Sequence, residues 1–133
     1  MKLFNFLVFI DDDSATNYYH EHILNEYSLC EKYVFFSSVE EALAFFEKNQ
    51  DCPNFNAPDL IFSDINMPRL DGWDFVQGFE KLNSQHETKV YMLTTSSNPY
   101  EMQKIEDYKV ISGYKEKPLS KEMLENIADT LKV

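Results

Sequence analysis

Asp64 follows the apolar run Leu60-Ile61-Phe62-Ser63 and opens the segment Asp64-Ile65-Asn66-Met67-Pro68-Arg69-Leu70-Asp71-Gly72. A carboxylate at the tip of a buried strand, ahead of a proline turn and an Asp-Gly pair, is a poor way to stabilise a core. It is a good way to present a nucleophilic oxygen at the rim of a sheet. Three more polar clusters stand where apolar runs end: Asp11-Asp12, Thr94-Thr95 and Lys117-Pro118. If the four ends meet, three carboxylates lie together with a hydroxyl and an ammonium nearby. Three acids at close range repel, so such a site should hold a hard cation, and Mg²⁺ suits because it takes oxygen ligands and keeps several waters. Its protein ligands would be one carboxylate of the Asp11-Asp12 pair, one oxygen of Asp64 and a backbone carbonyl just beyond it, that of Asn66. A carboxylate beside Mg²⁺ can attack phosphorus and form an acyl phosphate. Charge developing on the phosphoryl oxygens would be met by the metal, Lys117 and the Thr94 hydroxyl. The chemistry expected is phosphoryl transfer to Asp64.

The elements that would carry these residues alternate along the chain. Leu3 to Ile10 is almost entirely apolar and reads as a strand covered on both faces. Ser14 is expected to cap a helix through about Glu26. A shorter strand follows around Tyr33 to Phe36, and its helix opens at Ser37 or Ser38, each with a Glu at the capping-box spacing. Asn49 to Pro58 reads as a surface loop. Strand three is Leu60 to Ser63, and Gly72 to Leu82 is a helix with Trp73, Phe75, Val76 and Phe79 at near-helical spacing. Val90 to Leu93 is strand four, and Asn98-Pro99 supplies a cap and a first-turn proline. Strand five is about Val110 to Tyr114, and Ser120 caps a last helix. Five strand–helix units with short connections imply an α/β fold, a parallel five-stranded sheet with helices on both faces. Ligands of such sheets bind outside the carboxyl ends of the strands, at the switch in strand order.

Bulk properties narrow the function. The 133 residues suit a single domain, and 44% hydrophobic residues with three glycines fit a globule rather than a disordered or fibrous chain. A formal net charge of −11 would repel a phosphate backbone, so no direct DNA binding is expected. Cys30 and Cys52 are too few and too distant for a disulfide framework or a zinc site, and read as reduced thiols. The apolar opening ends at Asp11, well short of a signal peptide or a membrane span, so a cytoplasmic protein without membrane insertion is expected.

The chain resembles the receiver domains of two-component response regulators, of the stand-alone, chemotaxis-regulator-like kind. The matching residues are Phe9-Ile10-Asp11-Asp12-Asp13, Asp64 through Gly72, Leu93-Thr94-Thr95, and Gly113-Tyr114-Lys115-Glu116-Lys117-Pro118. Each fragment alone is weak or moderate; all four in order are specific. The resemblance covers residues 1–133 as one receiver domain with no separate output domain. It also implies a flavodoxin-like (βα)5 three-layer sandwich with strand order 2-1-3-4-5, which the residues alone do not establish. Asp64 would then take a phosphoryl group from a phosphohistidine on a sensor histidine kinase or a histidine phosphotransfer protein. Asp11 and Asp12 would organise Mg²⁺ (or Mn²⁺), with Asp12 the more direct ligand. Lys117 would pair with the phosphate. Thr94 would shift toward the phosphoryl oxygens and Tyr114 would turn inward. Asn66 and Ser96 would flank the path of hydrolytic water and tune the lifetime of the phosphorylated state. Proline makes a cis Lys117-Pro118 bond tolerable. Such a protein catalyses only its own phosphorylation and dephosphorylation, acts on a further protein target, and is a monomer or a phosphorylation-dependent dimer.

Two other readings compete. Phe9-Ile10-Asp11-Asp12-Asp13 also resembles the first motif of haloacid-dehalogenase-type phosphatases, with Asp11 as nucleophile and Asp13 as acid–base. Against this, position 15 is Ala where Thr or Val is usual, nothing could serve as a cap, and Asp64 is left without a role. An inert pseudo-receiver scaffold would not need the intact acidic set. Among single residues, the acidic triplet could simply cap a helix, Lys117 could be solvated, Ser97 belongs to a polar loop, and Tyr114 could be ordinary packing. His20 and His22 face different sides of a helix and with His86 form no metal constellation.

Overall fold

Six of the seven residues of β1 (Phe4–Ile10) are buried, which in a strand requires cover on both faces. In the computed structural model, which describes residues 2–82, 87–95 and 98–131, β1 is an interior strand of a five-stranded sheet, paired on both edges. The other elements are α1 (Ser14–Glu26), β2 (Cys30–Phe36), α2 (Val39–Asn49), β3 (Leu60–Asp64), α3 (Gly72–Glu80), β4 (Lys89–Thr94), α4 (Pro99–Ile105), β5 (Ile111–Glu116) and α5 (Lys121–Leu131). The order is β2-β1-β3-β4-β5 and all four pairings are parallel, as expected. Strand order reverses between β1 and β3, so a crevice opens at their carboxyl ends.

Alternation along the strands splits the core in two. Leu7, Phe9, Leu60, Phe62 and Leu93 pack with Ile23 and Leu24 of α1 and Leu124, Ile127 and Ala128 of α5. Phe6, Val8, Ile10, Ile61, Val90 and Met92 pack with Val39, Ala42 and Phe46 of α2 and Trp73, Phe75 and Val76 of α3. The result is the three-layer sandwich. Among the described residues no helix is long and apolar enough to cross a membrane. Cys30 is buried, Cys52 is exposed, and both are free thiols.

Several boundaries differ from the sequence expectation. β2 begins at Cys30 rather than near Tyr33, because Phe4 of β1 pairs with Cys30 and Phe6 with Lys32. Glu31 and Lys32 hid this: an edge strand can expose polar side chains and still complete its ladder. α1 is capped by Asp13, not Ser14. The Asp13 carboxylate accepts from the Ala15 N–H at 3.1 Å and from the Thr16 hydroxyl at 2.7 Å, leaving Ser14 as the first helical residue. At α2 both candidate serines are used. Ser38 is the N-cap, while Glu41 reaches back to the Ser37 N–H at 3.2 Å. α3 ends at Glu80, two residues early, and β5 runs from Ile111 to Glu116 after a register shift at Val90/Tyr91. Asn98 and Ser120 cap α4 and α5 as expected.

Candidate functional site

Ladder bonds run one residue past several strands and set the rim of the crevice. Asp11 N–H donates to the Phe36 carbonyl at 3.0 Å, Ile65 N–H to that of Leu93 at 3.0 Å, and Lys117 N–H to that of Thr94 at 2.8 Å. The backbones carrying Asp11, Asp64, Thr94 and Lys117 are thus tied to neighbouring strands by the sheet itself. Gly72 closes the β3 side. A Cβ there would overlap the Asp64 carbonyl oxygen and lie 2.7 Å from Met92 Cε, and the Gly72 N–H donates to the Ile65 carbonyl at 2.9 Å. Glycine is needed at this first helical position because α3 starts directly against the end of β3. Asp71 and Asp74 cap that start reciprocally.

The four strand ends do converge. One carboxylate oxygen from each of Asp11, Asp12 and Asp64 lies within 4.8 Å of the others. Asp11 and Asp64 are buried, and Asp12 faces solvent. Lys117 Nζ sits between the two buried acids, 2.9 Å from Asp11 Oδ2 and 3.3 Å from Asp64 Oδ2. Asp11 Oδ1 accepts from the Asp13 N–H at 2.9 Å, and the Asn17 side-chain amide donates to the Asp11 carbonyl at 2.9 Å. Asp11 is therefore held at both its main chain and its side chain.

The electrostatics explain why the acids need more than Lys117. Burial, then the nearby Asp11 charge, pushes the Asp64 carboxyl up from 3.8 to about 6, with Lys117 and the Asn66 backbone N–H acting in the opposite direction. Burial works to lower the Lys117 pKa, but the hydrogen bond to Asp11 and the charges of Asp11 and Asp64 outweigh it, and the net shift is upward. One ammonium faces two buried carboxylates and a third at the rim. An all-oxygen donor set with uncompensated negative charge fits a hard divalent cation.

Thr94 ends β4, buried, one residue past Leu93, which is the β4 partner of Asp64. Tyr114 pairs with Met92 and is 40% exposed, on the same sheet face as Thr94 and with its ring at the surface. Asn66 is exposed just past Asp64, and the Lys117-Pro118 bond is cis. Ser96, Ser97 and His86 lie outside the described residues. Asp13 is not placed as an acid–base group: its hydrogen bond from the Thr16 hydroxyl, with that from the Ala15 N–H, lowers its pKa.

His20 escaped the sequence reading except as a non-ligand. It is 1% exposed, its ring lies 5.5 Å from that of Phe9, and its Nε2 accepts from the Leu119 N–H at 3.0 Å. Its spacing to Ile23 and Leu24, three and four residues on, was the signal that it lies on the inward face of α1. His22 is exposed on the other side, near Glu26.

This arrangement of fold and acids has known counterparts. A family model for the response regulator receiver domain matches residues 7–129, and the chain belongs to that family, the phosphoacceptor signalling domains of two-component systems. Among solved structures, a two-component response regulator from Cytophaga hutchinsonii is 24% identical over 99% of this chain and 98% of its own, with TM-score 0.86. The chemotaxis protein CheY4 of Vibrio cholerae is 25% identical over 96% of each chain, with TM-score 0.69. The Mn²⁺-bound form of the response regulator Rcp1 is 19% identical, covering 96% of this chain and 91% of that one, with TM-score 0.71. No curated protein matches the sequence.

Proposed function

We propose that the chain accepts a phosphoryl group on Asp64 from the phosphohistidine of a sensor histidine kinase or a histidine phosphotransfer protein. The observation that carries this reading is the placement of Lys117 Nζ between Asp11 and Asp64, with Asp12 at the rim. An Asp64 oxygen attacks phosphorus, the P–N bond of the donor breaks, and an acyl phosphate forms while the imidazole leaves with a proton from solvent. Asp11, Asp12, one Asp64 oxygen and the Asn66 carbonyl would hold the divalent cation, Mg²⁺ or Mn²⁺. The Mn²⁺-bound relative of the same fold is in keeping with that donor set. When bound, the ion neutralises the acids and the phosphoryl oxygens. Lys117 swings its ammonium from the carboxylates to the phosphoryl group, and the Thr94 hydroxyl moves to a phosphoryl oxygen. Tyr114, on the same face, fills the space that Thr94 leaves. This alters the surface of β4, α4 and β5 and changes affinity for a downstream protein as a population shift. Asn66 and Ser96 flank the acyl phosphate and set its lifetime. The domain acts on itself alone, as a cytoplasmic receiver, monomeric or dimerising on phosphorylation.

Incubation with acetyl phosphate and Mg²⁺ tests the reading. The expected result is one hydroxylamine-labile phosphoryl adduct by intact mass, absent in Asp64→Asn and in EDTA. Turnover of a phosphate monoester that survives Asp64→Asn would instead support the dehalogenase-type phosphatase, and neither activity would support the inert scaffold.

A further inference from the structure

We infer that His20 is a positioning residue for Lys117, acting through the hydrogen bond its Nε2 accepts from the Leu119 N–H. The inference rests on the proposed phosphoacceptor reading and assigns a part in it to a residue remote from the acids in sequence. Lys117 must hold its ammonium at two buried carboxylates, yet it follows the last residue of β5. Its main chain is fixed on one side by the bond from Lys117 N–H to the Thr94 carbonyl at 2.8 Å. Pro118 has no N–H to give. The next donor is the Leu119 N–H, fully buried and bonded at 3.0 Å to His20. Residues 117–119 thus have two backbone donors, one tied to β4 and the other to α1.

The α1 anchor is suited to the task. α1 begins at Ser14, directly after the acidic triplet, so the helix that follows Asp11 and Asp12 also holds the segment carrying their counter-charge. The buried ring lies against Phe9 of β1, with centroids 5.5 Å apart, and 6.1 Å from the ring of Tyr19. Burial, with Lys117 adding to it, brings the imidazole down to about 4, so the ring is neutral at physiological pH. With Nε2 accepting, its single proton is on Nδ1. An apolar side chain at position 20 could fill the space but would leave a buried N–H without a partner. The segment would then shift to find one, and Lys117 would move with it.

The test compares His20→Leu, which packs without an acceptor, with His20→Gln, whose amide oxygen can replace Nε2. Phosphorylation by acetyl phosphate is followed at saturating Mg²⁺, and Mg²⁺ binding is measured separately by calorimetry. The expected result is a roughly ten- to hundredfold slower reaction for His20→Leu, the scale of a misplacement near 1 Å. His20→Gln should stay within about threefold of the unmodified chain, and Mg²⁺ affinity within about twofold in both. In a Lys117→Ala background, His20→Leu should cost nothing further, because its effect passes through Lys117. Equal rates for the Leu and Gln variants, or a full additional loss on top of Lys117→Ala, would overturn the inference. If His20→Leu does not fold, His20→Met serves as the acceptor-poor variant in the same comparison. If the unmodified chain takes no phosphoryl group on Asp64, the proposed function fails, an outcome distinct from either result.

Discussion

Replacing Asp64 by Asn should make the metal-free protein more stable, against the usual expectation for a residue at the heart of a site. The structure sets the size of the gain. Asp64 titrates at about 6 when folded against 3.8 as the ordinary value, because burial and Asp11 disfavour its charged form. Between those two pH values the folded chain binds more protons than the unfolded one, so its stability rises as pH falls. Above about pH 6 the ionised carboxylate costs the fold about 3 kcal/mol, at roughly 1.4 kcal/mol per pKa unit. Asn removes that cost, less whatever Lys117 loses with one of its two carboxylates. A net gain of about 2–3 kcal/mol at about pH 7.5 corresponds to about 6–10 °C in Tm for a domain of this size. Thermal melts in EDTA, repeated across pH, give the answer. The gap between variant and parent should shrink as pH falls below about 6 and close toward about pH 3, where Asp64 is protonated both folded and unfolded. Saturating Mg²⁺ should narrow it at neutral pH by stabilising the parent alone, by about 2.7 kcal/mol at a hundred times Kd. A less stable Asn variant in EDTA, or a gap that ignores both pH and Mg²⁺, would refute the picture of mutually repelling acids.

The remaining predictions use the same residues. Lys117→Ala leaves Asp11 and Asp64 buried without their cation and should cost about 3–5 kcal/mol at neutral pH, with much of it recovered on acidification as Asp64 takes up a proton; equal loss at both pH values in chemical denaturation would contradict this. Gly72→Ala puts a methyl against the Asp64 carbonyl and Met92 and should destabilise by about 1–3 kcal/mol while slowing phosphorylation, whereas an unchanged melting curve would show that α3 can retreat freely. His20 has a folded pKa of about 4 against 6.5, so it favours the fold above pH 6.5 and that contribution is lost as pH falls toward 4, about 3 kcal/mol in all. In the parent the rise from Asp64 offsets this; in Asp64→Asn the fall should stand alone, and a flat stability profile from about pH 6.5 to about 4 in that variant would count against a neutral, buried His20.

How much of this could be read from the chain depended on whether a residue's role was local. Asp11, Asp12, Asp64 and Lys117 were legible because an apolar run that stops at a charge marks a strand end, and parallel strands bring such ends to one edge. The serines at α2 and Asn98-Pro99 at α4 were legible for the same reason, since capping is decided within four residues. Asp13 displaced Ser14 as the α1 cap because its own N–H is held by Asp11, a contact set by the site rather than by helix propensity. Cys30 to Lys32 looked too polar for a strand, since pairing to β1 decides an edge and side-chain periodicity does not. The strand order came only with the family resemblance. His20 was out of reach, because its partner is a backbone N–H ninety-nine residues away and no local pattern announces it.

The central claim is that Asp64, and no other carboxylate of the cluster, becomes the acyl phosphate. Borohydride reduction of the protein treated with acetyl phosphate and Mg²⁺, followed by peptide mass mapping, tests it directly, because reduction of an aspartyl phosphate leaves homoserine in place. The account predicts homoserine at position 64 alone; homoserine at position 11 or 12, or at none, would contradict it.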